Sequence, residues 1–176
     1  MEITYKRFLI RDAAAADAAL LCRWWNDGAV MAHAGFPNGT GQTAEEIAGD
    51  ISKDADDTHR RLIIQLDSTP IGEMSYENMG NGRVEIGIKI CDVSRQEKGY
   101  GRVLLSMLFA ELFYRMNYSI IMISTDTENL RAQHVYELLG AKRVRTLNDA
   151  WTDPTGKVHS FVEYELTAAG FVNFAV

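Results

Sequence analysis

The stretch RQEKGYGRVLLSMLFAELFYRMN, residues 95–117, carries the clearest structural signal in the chain. Its apolar residues recur along helical rows, which predicts a long buried helix over residues 100–117. Gly99 and Gly101 stand where that helix begins. A helix start leaves backbone N–H groups without intrahelical partners, and glycines let an anion approach them closely. The stretch therefore predicts an anion-binding loop, although on these residues alone a plain helix-entry turn with solvated charges is an equal alternative.

The predicted loop is locally basic on an acidic chain. Arg95, Lys98 and Arg102 surround the glycines, whereas the whole chain has 18 basic and 24 acidic residues and a net charge of −6. This acidity argues against nucleic acid as the main partner and weakly favours a cationic substrate. No G-K-[ST] follows the glycines, and hairpins rather than a βαβ unit precede them. A P-loop and a dinucleotide-binding fold are therefore excluded.

Strand-like and helical patterns alternate along the rest of the chain. Strands are predicted at residues 3–11, 59–67, 71–78, 83–91, 118–125, 142–147 and 157–166, and helices at about 12–25, 43–54, 100–117 and 130–139. The three strands between residues 59 and 91 are separated only by turn signals and form an antiparallel meander. With 176 residues, 47% of them hydrophobic, and no linker or repeat, the chain is predicted to fold as one domain over residues 1–176.

Two segments resemble the signatures of one enzyme superfamily. Residues 96–101, QEKGYG, resemble the [RQ]-x-x-G-x-[GA] motif of the GNAT superfamily, and residues 129–140, NLRAQHVYELLG, resemble its N-x-x-[AS]-x-x-x-Y-x-x-x-G-F signature. Ala141 replaces the usual final phenylalanine of that signature. The segments around Trp25 and Glu85 look like the branch that includes ribosomal-protein N-terminal acetyltransferases and aminoglycoside 6'-N-acetyltransferases.

The resemblance implies a fold, a cofactor and a reaction. The fold would be α/β (α+β), with a mixed, mostly antiparallel seven-stranded sheet that is splayed between its fourth and fifth strands and flanked by about four helices. The cofactor would be acetyl-CoA, the acetyl donor. The reaction would be direct attack of a primary amine, from a small molecule or a protein N-terminus, in a ternary complex. A non-catalytic acyl-CoA-binding regulatory module on the same fold is the alternative.

The resemblance also implies which residues bind the cofactor. They are Ile90, Cys91, Gln96, Glu97, Lys98, Gly99, Tyr100, Gly101, Arg102, Asn129 and Tyr136. Tyr136 is further expected to be the catalytic acid, because a phenol can donate a proton to a departing thiolate. A packed core tyrosine is the alternative for Tyr136, and a simple helix N-cap is the alternative for Asn129.

Two carboxylates are candidates for handling the acceptor amine. Glu85, which begins a strand with apolar neighbours, is the predicted catalytic base, and an exposed strand-edge charge is its alternative. Glu73 on the adjacent predicted strand is the second candidate base and is expected to bind the substrate, together with Trp25 and Tyr76. Trp24 and Trp25 point to different helix faces, so one is expected in the core and the other at the acceptor, unless both are structural.

Composition suggests the setting in which the protein works. The histidines and cysteines show no metal-ligand spacing, so no metal site is predicted. The sequence has no signal-peptide pattern and no run of roughly 18 apolar residues, and its two cysteines fit a reducing compartment. A cytoplasmic protein without membrane contacts is expected. The apolar tail, residues 170–176, suits core packing or the contact of a homodimer.

Overall fold

The computed structural model describes residues 1–176, apart from the side chain of His33. Its strands are β1 (Glu2–Tyr5), β2 (Phe8–Asp12), β3 (His59–Leu66), β4 (Thr69–Gly80), β5 (Arg83–Ile90), β6 (Ile120–Asp126), β7 (Lys142–Thr152) and β8 (Val158–Thr167). Its helices are α1 (Ala18–Trp25), α2 (Gly28–Met31), α3 (Ala44–Ile51), α4 (Tyr100–Tyr114) and α5 (Leu130–Leu138). The strands form one sheet in the order β1-β2-β3-β4-β5-β6-β8-β7. Only the β5–β6 pair in this sheet is parallel, so the predicted mixed, mostly antiparallel α/β fold is confirmed.

The number of elements differs slightly from the prediction. The predicted first strand is a hairpin of two strands, because Lys6 adopts a left-handed backbone with φ of 52° and Tyr5 pairs with Phe8. Neither glycine nor asparagine marks this turn, so the sequence pattern did not reveal it. The sheet therefore has eight strands rather than seven. The fifth helix, α2, is a single turn between the helices predicted at residues 12–25 and 43–54, where no helix was predicted.

The helix α4 is the centre of the larger of two cores. Leu104, Leu108 and Leu112 have no exposed surface, and the helix packs with α5 on one face of the sheet. On the other face, α1 and α3 pack around Ile63 of β3. The helix ends at Tyr114, three residues earlier than predicted, and the chain then turns through Asn117, which has φ of 60°. No helix of the described residues combines the length and apolarity needed to cross a membrane.

The predicted splay lies between β5 and β6. Their parallel pairing joins residues 83–86 to residues 120–123 and then stops, while β5 continues to Ile90 and β6 to Asp126. Beyond the last pair, β5 stays paired to β4 and β6 stays paired to β8. Each strand therefore presents one open backbone edge to the gap between them. In the predicted numbering this is the gap between the fourth and fifth strands, so the splay is confirmed.

The C-terminal tail crosses the surface of α4. The ring of Phe171 lies 5.9 Å from that of Phe109, and the backbone N–H of Phe174 donates to the buried Ser106 hydroxyl at 3.0 Å. The apolar side chains of Phe171, Phe174 and Ala175 pack against the main core. The tail is therefore used for packing within the chain, and a homodimer stays a prediction.

Gly140, which ends the α5 segment, is expected to be essential for the fold. It has φ of +92°, and a Cβ there would lie 1.9 Å from the carbonyl oxygen of Gly170. Gly140→Ala should lower the free energy of unfolding by about 3 kcal/mol or more, since it adds a backbone clash to left-handed strain. Urea unfolding measures this loss.

Gly41→Ala is the matched control. Gly41 is also left-handed, with φ of +75°, but a Cβ there would meet nothing within 4 Å. The free energy of unfolding should fall only by the cost of the left-handed backbone, about 1 to 2 kcal/mol. Equal losses in the two variants would contradict the close packing at Gly140.

Candidate active site

A cavity of about 1070 Å³ opens where β5 and β6 separate. Its helix end is formed by the loop before α4, the start of α4 and one side of α5. Its sheet end is formed by residues of β3, β4 and β5 together with the tip of α1. The cavity is lined by Gly87, Ile88, Lys89 and Ile90 of β5 and by Ser124, Thr125 and Asp126 of β6. The open strand edges therefore lie between the two ends of one continuous space.

The loop before α4 has the geometry of an anion site. Glu97 and Gly99 adopt left-handed backbones, with φ of 58° and 74°, and no side chain caps the helix that follows. A Cβ at Gly101 would meet nothing within 4 Å, so the first helical turn faces open space. The Gln96 side chain donates to the Ile90 carbonyl at 2.8 Å and ties the loop to the end of β5. Uncapped N–H groups at a helix start, with room in front of them, suit a phosphate.

The helix end of the cavity is also basic. Arg102 and Arg131 line the cavity, and the Arg102 guanidinium lies 5.3 Å from the centre of the Phe174 ring. Arg131 is 3.7 Å from Glu97, an exposed pair that contributes little to stability. Lys98 is exposed and does not line the cavity, although it belongs to the same loop.

Tyr136 lies on α5 with its side chain in the cavity wall. It is 6% exposed, and its ring packs edge-on against Tyr164 with 5.8 Å between the ring centres. Burial raises the pKa of Tyr136 to about 12, so the hydroxyl keeps its proton at neutral pH. Asn129 caps the same helix by accepting from the Ala132 N–H at 3.2 Å, and it lines the cavity as well.

The sheet end contains a fixed carboxylate. Glu73 is 8% exposed, and its Oε1 accepts hydrogen bonds from Trp25 Nε1 and Lys89 Nζ, each at 2.8 Å. Arg61 of β3 lines the same end and is paired with the buried Asp54. The two cations at this end thus each have a carboxylate partner. The tryptophan indole holds the Glu73 carboxylate in one orientation.

Several predicted site residues do not reach this cavity. Glu85 is separated from it and lines a small hollow on the sheet beside β6, where burial and then Glu77 and Glu163 raise its pKa. Tyr76 is fully buried, with its hydroxyl donating to Asp56 at 3.3 Å, because its position on β4 faces the core.

Cys91 is also outside the cavity. Its side chain is 4% exposed, and its N–H donates to the Ile71 carbonyl at 2.9 Å. Burial raises the pKa of the thiol to about 12, so it stays protonated and unreactive. The end of β5 therefore contributes Ile90, and not Cys91, to the cavity wall.

Lys89 was missed at the sequence level, although a signal was present. The hairpin of β4 and β5 turns at Gly80-Asn81-Gly82, and counting outward from Asn81 pairs Glu73 with Lys89, as observed. Opposite charges at paired positions of neighbouring strands attract each other. Arg61, Ser75 and Asp126 also line the cavity, and no local motif marks them. Among the described residues, no group of three or more metal-binding side chains is arranged around a common point.

Comparison with known proteins identifies the family. The model of the acetyltransferase (GNAT) domain matches residues 7–142. The chain belongs to the GNAT acetyltransferase family. It is therefore an N-acetyltransferase enzyme, and acetyl-CoA is the cofactor that this family uses. No protein with curated functional information matches the sequence.

Solved structures share the fold over nearly the whole chain. A spermidine N-acetyltransferase from Vibrio cholerae, in complex with CoA and spermine, is 19% identical with a TM-score of 0.82, and the alignment covers 95% of this chain and 99% of that chain. A ribosomal-protein α-N-acetyltransferase, RimL, in complex with CoA, is 16% identical with a TM-score of 0.83, covering 95% and 98%. A GNAT-family acetyltransferase from Bacillus anthracis is 20% identical with a TM-score of 0.77, covering 95% and 98%.

Gly101→Glu is expected to abolish CoA binding without affecting the fold. Gly101 is helical and has open space in front of it, so the new side chain causes no clash but places a carboxylate where the diphosphate would lie. Titration calorimetry with CoA should show a loss in affinity of at least about 100-fold, because an anion site is both blocked and made negative.

Gly49→Glu supplies the matched control. Gly49 is an exposed glycine within α3 where a Cβ would also meet nothing within 4 Å, and it is remote from the cavity lining. CoA affinity and the melting temperature should stay close to those of the unmodified protein. Unchanged CoA affinity in Gly101→Glu would remove the helix start from the cofactor site.

Proposed function

We propose that this enzyme transfers the acetyl group of acetyl-CoA to a primary amine of a small molecule or a protein N-terminus, by direct attack in a ternary complex. The observation that carries the proposal is the single cavity, in which an anion-binding helix start and a buried carboxylate lie on either side of the gap between β5 and β6. Two reactants held together in one site react without the entropic cost of a separate encounter. Two of the proteins of similar structure named above are a spermidine N-acetyltransferase and a protein α-N-acetyltransferase, and both of their acceptors are amines.

The helix end of the cavity fits the cofactor. Gln96, Glu97, Gly99, Tyr100, Gly101, Arg102, Asn129 and Ile90 line the cavity and would hold CoA, whereas Cys91 and Lys98 lie outside it. The uncapped N–H groups of α4 would receive the diphosphate, and Arg102 would add positive charge beside it. When bound, acetyl-CoA supplies the acetyl thioester that the amine attacks.

The open edge of β5 would stabilise the charge that develops on the acetyl carbonyl. Backbone N–H groups that are fixed in a strand need no reorganisation when negative charge appears, and one such donor contributes on the order of 10² to 10³ in rate. Residues 87–90 of β5, whose edge towards β6 is unpaired, border the cavity between its two ends. Tyr136, which lines the cavity and keeps its proton at neutral pH, would donate that proton to the departing sulfur.

Glu73 would meet the acceptor amine at the sheet end. Its Oε1 is held by Trp25 and Lys89, so the orientation of the carboxylate is fixed before the substrate arrives. The carboxylate would accept a hydrogen bond from the amine and take the proton that the nitrogen loses on attack, directly or through water. Glu85, the base expected from sequence, lies in a separate hollow.

The charges at the sheet end favour an acceptor with a single ammonium group. Lys89 already neutralises Glu73, and Asp54 neutralises Arg61. A polycation would need several unpaired carboxylates to replace its hydration. A monoamine or a peptide N-terminus needs only one acceptor oxygen, and Oε2 of Glu73, which accepts neither the Trp25 nor the Lys89 hydrogen bond, would provide it.

Tyr136→Phe should lower kcat by about 10²- to 10⁴-fold, the usual contribution of a positioned proton donor, and leave CoA affinity unchanged. Thiol release from acetyl-CoA measures the rate, first across a panel of peptide N-termini, amino acids, aminoglycosides and polyamines and then on the best acceptor. Tyr164→Phe is the control, since Tyr164 touches Tyr136 but its hydroxyl donates to Glu137 instead of facing the main cavity.

Two outcomes would count against this proposal. Equal activity of Tyr136→Phe and the parent enzyme would exclude the tyrosine as the acid. CoA binding without turnover of any amine would favour the alternative, a non-catalytic acyl-CoA-binding regulatory module.

Glu73→Gln and Glu85→Gln together decide which carboxylate handles the amine. The glutamine keeps the hydrogen bond from Trp25 but removes the charge and the basic oxygen, so Glu73→Gln should lower kcat/KM by about 100-fold. Its activity should recover only slightly at high pH, where the free amine is already neutral. A larger loss for Glu85→Gln than for Glu73→Gln would instead make Glu85 the base.

A further inference from the structure

His159 of β8 is buried between two carboxylates. Its Nδ1 lies 2.6 Å from Asp126 Oδ2 and its Nε2 lies 3.1 Å from Asp153 Oδ2. The histidine side chain is 7% exposed, and those of Asp126 and Asp153 are 10% and 3% exposed. Both ring nitrogens must carry protons to donate to both carboxylates. This geometry fits an imidazolium held between two anions.

Asp126 connects this cluster to the helix that carries Tyr136. Its Oδ1 accepts from the Glu128 N–H at 2.7 Å, and its backbone carbonyl accepts from the Asn129 N–H at 3.0 Å. The Gln133 side chain of α5 donates to the carbonyls of Asp126 and Thr127. Asp126 thus sets the turn from β6 into α5, and it lines the cavity itself.

Asp153 and Trp151 connect the same cluster to the other side of the site. Asp153 Oδ1 closes the β7–β8 turn by accepting from the backbone N–H groups of Thr155 and Lys157. The Trp151 ring packs at a tilt against the His159 ring, with 5.6 Å between centres, and against the Phe36 ring, also with 5.6 Å between centres. This contact fixes the segment of residues 28–41, which we call the acceptor loop. The segment comes after Trp25 in the chain and lies on the same side of the cavity.

The contact between Trp151 and the acceptor loop is close. A Cβ at Gly35 would lie 1.9 Å from the indole ring, so only glycine fits beneath it. Val30 and Ala34 of the same loop line the cavity. The position of the indole therefore determines where this wall of the acceptor side stands.

We propose that His159 is a positioning residue that fixes α5 through Asp126 and the acceptor loop through Trp151. The inference rests on the proposed function, since it concerns the placement of Tyr136 and of the acceptor. His159 does not line the cavity, so it acts only through these two neighbours.

The charges around His159 set the pH range in which the cluster holds. Asp126 of β6 and Asp153 of the β7–β8 turn face the ring, and behind them Lys157 is paired with Glu128 at 2.7 Å. The hydrogen bond to Asp126, followed by that to Asp153, raises the pKa of His159 above its usual value. A raised pKa in the folded state means that the stabilisation is complete below the unfolded pKa of about 6.5 and is lost as pH rises through the folded value.

His159→Gln tests the proposal, because glutamine can donate to one carboxylate but leaves the other without a donor. Hydrogen–deuterium exchange should rise in two separate segments, residues 28–41 and residues 127–138, and stay unchanged in the Gln96–Arg102 loop. CoA affinity should be retained, and kcat/KM for the acceptor should fall by about 10- to 100-fold, the effect of misplacing reacting groups. Glu163→Gln, on the same strand as His159, removes an ion pair with Arg145 of β7 and should change neither the exchange of these segments nor kcat/KM.

Trp151→Leu separates the two arms of the cluster. It should raise KM for the acceptor and increase exchange in the acceptor loop alone, while kcat and α5 stay unaffected. In proton NMR, the His159 ring signal, identified by its loss in His159→Gln, should titrate at a higher pH than a free histidine.

Three results would overturn the inference. They are increased exchange spread evenly over the chain in His159→Gln, increased exchange in neither segment, or a titration of His159 at or below the pKa of a free histidine. The exchange and titration measurements do not use turnover. If no amine is acetylated by the parent enzyme, the proposed function fails while these measurements still decide the role of His159.

Discussion

The parting of β5 and β6 is the constraint on which the rest of the site depends. Strands in a sheet normally satisfy both edges, and an open edge must be covered or used. Here the parallel pairing stops at Ile86 and Ile123, and the continuing strands leave a gap bounded by backbone. The loop before α4 stands at one end of this gap and Glu73 at the other. A cofactor and an acceptor can approach each other through the sheet only because this pairing is incomplete.

The sheet around the gap is held by the two separate cores. The main core, centred on α4, lies on one face, and the smaller core of α1 and α3 lies on the other. Burial of apolar side chains on both faces stabilises the two halves of the sheet independently of the missing strand pairs. The gap also places polar groups in a partly buried site, and the protein pairs them: Glu73 with Lys89, Arg61 with Asp54, and His159 with two aspartates. The attraction within each pair offsets part of the cost of removing the charges from water, and it fixes the orientation of the side chains.

The fold was largely predictable from the sequence because its main signals are local. The helical period of residues 100–114, the turns around Asn81 and the Gln96–Gly101 loop each specify their own structure. The turn at Lys6 was missed because no glycine or asparagine marks it. The other missed features depend on non-local contacts. The inward or outward direction of Tyr76 and Glu85 depends on strand register, and the His159 cluster joins residues 33 positions apart. Register is set by tertiary packing, so a pattern of neighbouring residues does not reveal which carboxylate reaches the cavity.

The tail that crosses α4 has a consequence for biosynthesis. Arg102 at the cofactor end lies against the ring of Phe174, and the buried Ser106 hydroxyl receives the N–H of that same late residue. On the ribosome, α4 is synthesised before Phe174, although the domain folds as one unit. During that interval the helix start lacks the aromatic surface that restrains its arginine. The donor site is therefore completed only when the tail has packed against α4.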